Sequence, residues 1–431
     1  MTYSDKEYTV LKYGKHSINL PATFPHPYKI LERTFPEAIV KTEEYINSVL
    51  DSPINAKPFN SIFRKDNSVI IIISDITRST SSEIYLPIIV DRLNQKGIDD
   101  KNITIICALG IHRKQTVEEH KKMVGAHIYK RIKIIDHDGL DKNNLTLLGK
   151  TKRGTAFEVN SLVNEADQVI LTGSIRFHYF AGFGGGRKSI LPGVASFDTC
   201  VSNHLLALNP KDQGGRHPFA RTGILKGNPV HEDMSEACNY LRSLFLFNTI
   251  LSPHKELLKA VAGNVHTAFN HGCRFLSENF SIPVNQKAEL LIVSCGGYPY
   301  DINFIQAHKA MDMAVNVLKE GGVMILLAEC SQGFGNPRFL EWFNYNNPEC
   351  FEKALRNNYE INGQTAYATF LKARKYHIIL ISDLNTEEVK RVSLLPATTI
   401  EEALESAYSL LGSKPLTHII PDGSSILTYM V

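Results

Sequence analysis

A two-domain α/β protein with mainly parallel sheets is predicted from three features of the sequence. Short apolar runs without polar alternation recur along the chain. Stretches of helical length separate them, and a helix-rich interval divides them into two groups of three. Unalternating runs rich in Ile, Val and Leu suit strands buried on both faces of a parallel sheet. Their alternation with helices is the signature of α/β architecture.

In order, strands are expected at 68–74, 103–109, 168–172, 290–294, 323–328 and 376–382. Helices are expected at 82–96, 116–124, 303–319 and 399–411, and 197–275 reads as helical. The first domain is therefore placed at 1–275 and the second at 280–408, with a hinge within 270–285 at Ser281-Ile282-Pro283. The tail from Ile419 to Tyr429 reads as a turn and a strand; it is expected to return to the first domain, so that 412–431 completes it.

Composition narrows the class. The 431 residues suffice for two cores. With 43% hydrophobic and 21% charged residues, disorder and fibrous structure are excluded. Lys plus Arg is 47 against 44 for Asp plus Glu, a net charge of +3, which offers no broad footprint for nucleic acid. No apolar run reaches the roughly 18 residues of a membrane helix, and the segment Met1 to Glu7 is not apolar. No membrane and a cytoplasmic location are expected. The seven cysteines are odd in number and never spaced as CxxC, which argues against a disulfide framework or a cysteine zinc site.

Ligands of open α/β sheets bind beyond the carboxyl ends of the strands. There the sequence places Asp75-Ile-Thr77-Arg78, then Gly110-Ile-His112-Arg113, then Gly173-Ser-Ile-Arg-Phe-His178, and in the second half Cys295-Gly-Gly-Tyr-Pro-Tyr-Asp301. Such loops are ordinarily polar, and Asp75 could simply cap a helix. Two histidines and an arginine past three separate strand ends point instead to a shared cleft.

The densest signal runs from His178 to Gly193. Glycines 182 and 184 to 186 would let backbone N–H groups approach an anion, with Lys188 beside them. It superficially resembles a P-loop, but Arg187 stands where that pattern needs glycine. A flexible turn with a solvated Lys188 is the plain alternative. His204 lies on an expected helix starting near Ser196; His112, His178 and His204 could be structural, or together a three-His metal site. In the second half, Gln306 and Lys309 are three apart near the start of a helix beginning at Asn303, where a lysine is disfavoured by the helix dipole unless an anion binds.

The ordered set Asp75-x-Thr77-Arg78, Gly110-x-His112-Arg113, His178-x9-Lys188-x15-His204 and Gln306-x2-Lys309 resembles the lactate racemase family, the nickel-pincer nucleotide enzymes, over essentially the whole chain. The resemblance implies two α/β domains with the active site in the cleft between them. It implies racemisation or epimerisation of a 2-hydroxy acid, lactate the leading candidate, by reversible hydride transfer. The implied cofactor is nickel held by a pyridinium-3,5-bisthiocarboxylic acid mononucleotide, covalent on Lys188, with His204 as the metal ligand. His112 and His178 would be the acid/base pair, and Arg78, Gln306 and Lys309 would bind the substrate carboxylate. Asp75, Thr77 and Gly184, Gly185 and Gly186 would lie near the cofactor's ribose and phosphate. Separate cofactor-maturation enzymes are implied partners.

The chain departs from the family pattern in places. Ser79-Thr80 follows Arg78 where the family usually has Pro, and Ile305 precedes Gln306 where Tyr is common. The family's second-domain Trp has no clear counterpart, Trp342 being the only one, and Tyr367 or Phe370 is expected to fill that wall. Two other readings remain: a three-His metallohydrolase, which needs no covalent lysine, and a non-catalytic nucleotide- or cofactor-binding protein, which needs no pair of acid/base histidines.

Overall fold

The computed structural model describes residues 8–21, 28–78, 80–412 and 414–431, so Ser79 lies outside the described residues. The chain divides into two compact units: Phe35–Ala207 with His217–Asn279, and Met1–Thr34 with Leu208–Arg216 and Phe280–Val431.

The first unit is built on a six-stranded sheet in the order Leu257–Gly263, Leu244–Leu251, Gln168–Ser174, Val69–Ser74, Ile103–Ala108, Lys133–Asp136. All neighbours are parallel except the hairpin pair Leu244–Leu251 and Leu257–Gly263. Val69, Ile71 and Ile73 pack into a core with Leu86, Ile89, Val90 and Leu93 of the helix Ser82–Gln95. Ile70 and Ile72, on the opposite face, are buried as well. Burial on both faces is why this strand shows no alternation. Each such side chain contributes about 1.5–3 kcal/mol relative to exposure. The helix Val117–Arg131 begins in a capping box between Thr116 and Glu119, and its regular geometry breaks at Gly125, φ +80°, where the sequence periodicity also stops.

The second unit carries another six-stranded sheet, entirely parallel, in the order Leu395–Ala397, His377–Ile381, Leu318–Leu327, Ala288–Ser294, Thr417–Ile420, Tyr28–Ile30. The helix Ile400–Leu411 and the hairpin Tyr8–Tyr13/His16–Pro21 share one core with it, through Ile400, Ala403, Ala407, Leu11 and Leu20.

All six expected strands form, and four expectations need correction. The interval 197–275 is not wholly helical, because Leu244–Leu251 and Leu257–Gly263 are strands. An eight-residue run of mostly large apolar side chains is strand-length and pairs with the open edge of Gln168–Ser174. The expected helix 303–319 ends as Phe304–Ala314, and Leu318 opens a strand. The tail does not complete the first domain: Thr417–Ile420 pairs with Ala288–Ser294, and Leu427–Met430 with Ser281–Val284. The first domain is also not simply 1–275, since residues 8–21 and 28–34 and the excursion 208–216 belong to the second unit. Pairing across hundreds of residues decides these memberships, and local pattern does not record it.

All seven cysteines are free thiols. Among the described residues no helix is long and apolar enough to cross a membrane.

Candidate functional site

In the first unit the sheet order reverses between Val69–Ser74 and Gln168–Ser174. From the former the chain proceeds to Ile103–Ala108 and Lys133–Asp136 on one side, and later to Gln168–Ser174 and Leu244–Leu251 on the other. Such a switch point opens a crevice at the carboxyl ends of the two strands. Asp75, Thr77 and Arg78 leave one of those strands; Ile175, Arg176 and His178 leave the other.

His112 follows the neighbouring strand. Its Nδ1 lies 2.9 Å from Asp75 Oδ2. The other oxygen of Asp75 accepts the Thr77 amide at 2.7 Å and, in a very short contact, the Thr77 hydroxyl. Burial would raise the Asp75 carboxyl, but the His112 hydrogen bond and the Arg78 charge outweigh it and hold the group well below the carboxylate range. An ionised carboxylate can only accept, so His112 carries a proton on Nδ1, and Nε2 is the nitrogen left for exchange with a ligand. The sequence assigned Asp75 and Thr77 to a cofactor; the structure engages both of Asp75's oxygens with His112 and Thr77.

His178 is prepared in the opposite way. Its Nδ1 accepts the Ala181 amide at 3.2 Å, so neutral His178 carries its proton on Nε2, which lies 3.3 Å from Lys188 Nζ. Burial, followed by the charges of Lys188 and Arg78, holds His178 well below the usual histidine range. Burial, followed by Arg78, Arg187 and Arg176, does the same to Lys188 relative to ordinary lysines. A neutral amine accepting from His178 Nε2–H is the arrangement these partners describe.

His204, on the helix Phe197–Leu205 capped by Ser196, is 6% exposed. Burial, then Lys188 and His112, lowers its pKa to about 3. Phe180 stands edge-on to both His204, at 5.1 Å, and His178, at 4.5 Å. The first unit therefore gathers Asp75, Thr77, Arg78, His112, His178, Lys188 and His204.

The glycine run has a packing explanation. A Cβ on Gly185 would meet Asn248 Oδ1 at 2.7 Å, and one on Gly186 would meet the Phe269 ring at 2.4 Å. The amides of Gly184 and Gly186 donate to Arg176 O and Asn248 Oδ1, both at 2.6 Å. Arg187 is buried over the Phe269 ring and donates to the carbonyls of Ala181, Phe183 and Gly185. It staples the loop that presents Lys188. Sequence reasoning missed this role, and that of Asn248; a buried polar residue inside the apolar run 244–251 was the available signal.

Gln306 and Lys309 lie in the second unit on the helix Phe304–Ala314, which is capped by Asn303. Lys309 Nζ donates to Gln306 Oε1, so the two share a face as their spacing requires. Lys372 pairs with Asp312 at 2.6 Å and ties this helix to Ile361–Ala373. Trp342 stacks on Phe351 at 5.6 Å, Tyr367 is fully buried and donates to Glu352 at 3.0 Å, and Phe370 packs beside Phe351. Tyr367 and Phe370 thus belong to the interior of this unit.

Comparison with known proteins matches both halves. Residues 13–215 fit the family model of the lactate racemase N-terminal domain, and residues 284–428 that of the C-terminal domain. Lactate racemase of Thermoanaerobacterium thermosaccharolyticum is 34% identical over 392 residues, 89% of this chain and 90% of that protein. Lactate racemase of Lactiplantibacillus plantarum is 32% identical over 391 residues, with the same coverage of 89% and 90%. The solved structure of the Thermoanaerobacterium lactate racemase apoprotein superposes with a TM-score of 0.89 at 31% identity, covering 98% of this chain and 99% of that one.

Proposed function

The chain belongs to the lactate racemase family and is an isomerase, and from that premise we propose that it interconverts the enantiomers of a 2-hydroxy acid, lactate first among them. The observation that carries this reading is the preparation of two imidazoles in one unit. Each has its Nδ1 engaged by the chain, by the Asp75 carboxylate for His112 and by the Ala181 amide for His178, which assigns proton exchange to Nε2 in both rings. Racemisation needs one group to take the hydroxyl proton of the substrate and another to return a proton once the stereocentre has become planar. The roles exchange for the other enantiomer. Each group would contribute about 10²–10⁴-fold.

The residues present fit the nickel-pincer nucleotide. Lys188 has the depressed basicity a lysine needs to act as a neutral amine nucleophile toward a thioacid, and His204 is a buried neutral imidazole, a suitable ligand for Ni(II). Lys188 would hold the nucleotide and His204 the metal; when bound, the group supplies a reversible hydride acceptor. The remaining work falls to the chain. Arg78 would bind and orient the substrate carboxylate. His112 Nε2 would take the hydroxyl proton from one enantiomer and become an imidazolium, and His178 would return a proton to oxygen from its own imidazolium form, since a neutral ring does not give up its last N–H. Cytoplasmic maturation enzymes are the proposed source of the cofactor.

Neither alternative reading gains support. Among the described residues, the three histidines do not form a metal-ligating group. A non-catalytic binder would have no use for the Asp75–His112 pair. The test is intact mass and metal content of protein produced beside the maturation enzymes. The wild type should carry a covalent adduct and about one nickel per chain, and Lys188→Ala should lose both. Full racemase activity in an adduct-free chain would overturn the proposal.

A further inference from the structure

Asp75 and His112 come from different strands, and their 2.9 Å contact requires two loops to keep a fixed spacing. One side chain connects those loops. Gln115 Oε1 accepts the amide of Ile76, next to Asp75, at 3.1 Å, and its Nε2 donates to Arg113 O, next to His112, at 3.1 Å. Its own backbone amide donates to Asp136 Oδ2 at 2.8 Å. Asp136, at the end of the strand Lys133–Asp136, is held in turn by His120 Nε2 at 2.8 Å, with the Cys107 thiol within 4.8 Å.

Cys107, His120 and Asp136 place potential metal-ligand atoms within 4.8 Å of one another. The hydrogen bonds of Asp136 to His120 and to the Gln115 amide already engage its carboxylate. Burial and the Asp136 charge push the Cys107 thiol up, favouring the protonated donor over a thiolate. The three groups form an anchor for Gln115.

We propose that Gln115 is a positioning residue for His112: braced against Asp136, it sets the spacing of the Asp75 and His112 loops and so holds the His112 ring with its proton on Nδ1 and its Nε2 free. The inference rests on the reading of His112 as an acid/base residue. The alternative is that Gln115 merely stabilises a surface loop. That role would leave the His112 ring as it is and change only thermal stability.

The experiment is ¹⁵N NMR of the full chain with ¹⁵N-labelled histidine, His112 being assigned through His112→Asn. At a pH where His112 is neutral, the wild type should show the Nδ1–H tautomer. Gln115→Met, similar in length but without the acceptor, should move His112 toward the Nε2–H form, and Asp75→Asn should do the same. Gln115→Glu keeps the acceptor for Ile76 but loses the donor to Arg113 O, so it should shift His112 in the same direction as Gln115→Met. In matured enzyme, Gln115→Met should lower kcat by roughly 10- to 100-fold, the scale of a misplaced catalytic group, with KM changed less than twofold. Should Gln115→Met fail to fold, Asp136→Asn carries the same expectation. A wild-type His112 signature in the folded Gln115 and Asp136 variants, with Asp75→Asn shifted, overturns the proposal and leaves the site reading intact. No shift in Asp75→Asn would overturn both.

Discussion

Asp75 Oδ2 and His112 Nδ1 stand 2.9 Å apart, although 37 residues separate them in the chain. The contact makes the two site histidines chemically unlike, since His178 has a backbone amide and a lysine amine in the corresponding places. Asp75→Asn keeps the shape and removes the charge that fixes the His112 proton. It should lower the maximal rate by about 10²-fold, within the range of a lost general base. Rates measured from each pure enantiomer in matured protein check this, and a wild-type rate from both would remove Asp75 from the mechanism.

The unlike histidines also predict unlike variants. On the proposed mechanism a full turnover uses both, so His112→Ala and His178→Ala should each abolish net racemisation. Under single-turnover conditions, each variant should still release 2-oxo acid from one enantiomer, and the two variants should favour opposite enantiomers. Identical behaviour toward both enantiomers would mean that the histidines do not divide the proton transfers between them.

The loop that presents Lys188 should not tolerate a methyl group at Gly186. Its φ is +57°, and a Cβ would lie 2.4 Å from a Phe269 ring carbon. Left-handed backbone and overpacking together should make Gly186→Ala less stable by roughly 2–5 kcal/mol. At Gly215, φ +74°, a Cβ meets nothing within 4 Å, so Gly215→Ala should show only the backbone cost, about 1–2 kcal/mol. Denaturant melts of the two variants compare them directly.

The pair Lys372–Asp312 anchors the helix that carries Gln306 and Lys309. Burial would raise Asp312, but Lys372, Arg216 and His308 outweigh it and bring its pKa to about 2. A carboxyl lowered on folding stabilises the native state fully above its unfolded pKa of about 4, and that contribution is lost as pH falls toward the folded value. The wild type should therefore lose stability between about pH 4 and 2 more steeply than Asp312→Asn does. At neutral pH, Asp312→Asn should cost about 3–5 kcal/mol, because it leaves the Lys372 ammonium buried without its partner. Adding Lys372→Met should recover part of that loss; additive losses would show that the two groups do not act as a pair.

The sequence by itself determined the α/β class, the six strands of the two groups, and the polar residues that follow four of them. These follow from local rules: a strand buried on both faces must be apolar throughout, and the loop after it begins wherever that run stops. Residue spacing likewise put Gln306 and Lys309 on one helix face, where Lys309 donates to Gln306. Tertiary structure alone decided who meets whom. Strand order brought Asp75 to His112, and Asn248, from a strand read as helix, to Gly186. Pairing with Ala288–Ser294 took Thr417–Ile420 into the second unit. Tertiary packing also gave the glycines beside Lys188 their role, because Asn248 and Phe269 fill the space that side chains at Gly185 and Gly186 would need. Short-range patterning records whether a residue is buried. The partner that buries it depends on sheet order and on contacts between residues far apart in the chain, which no local period encodes.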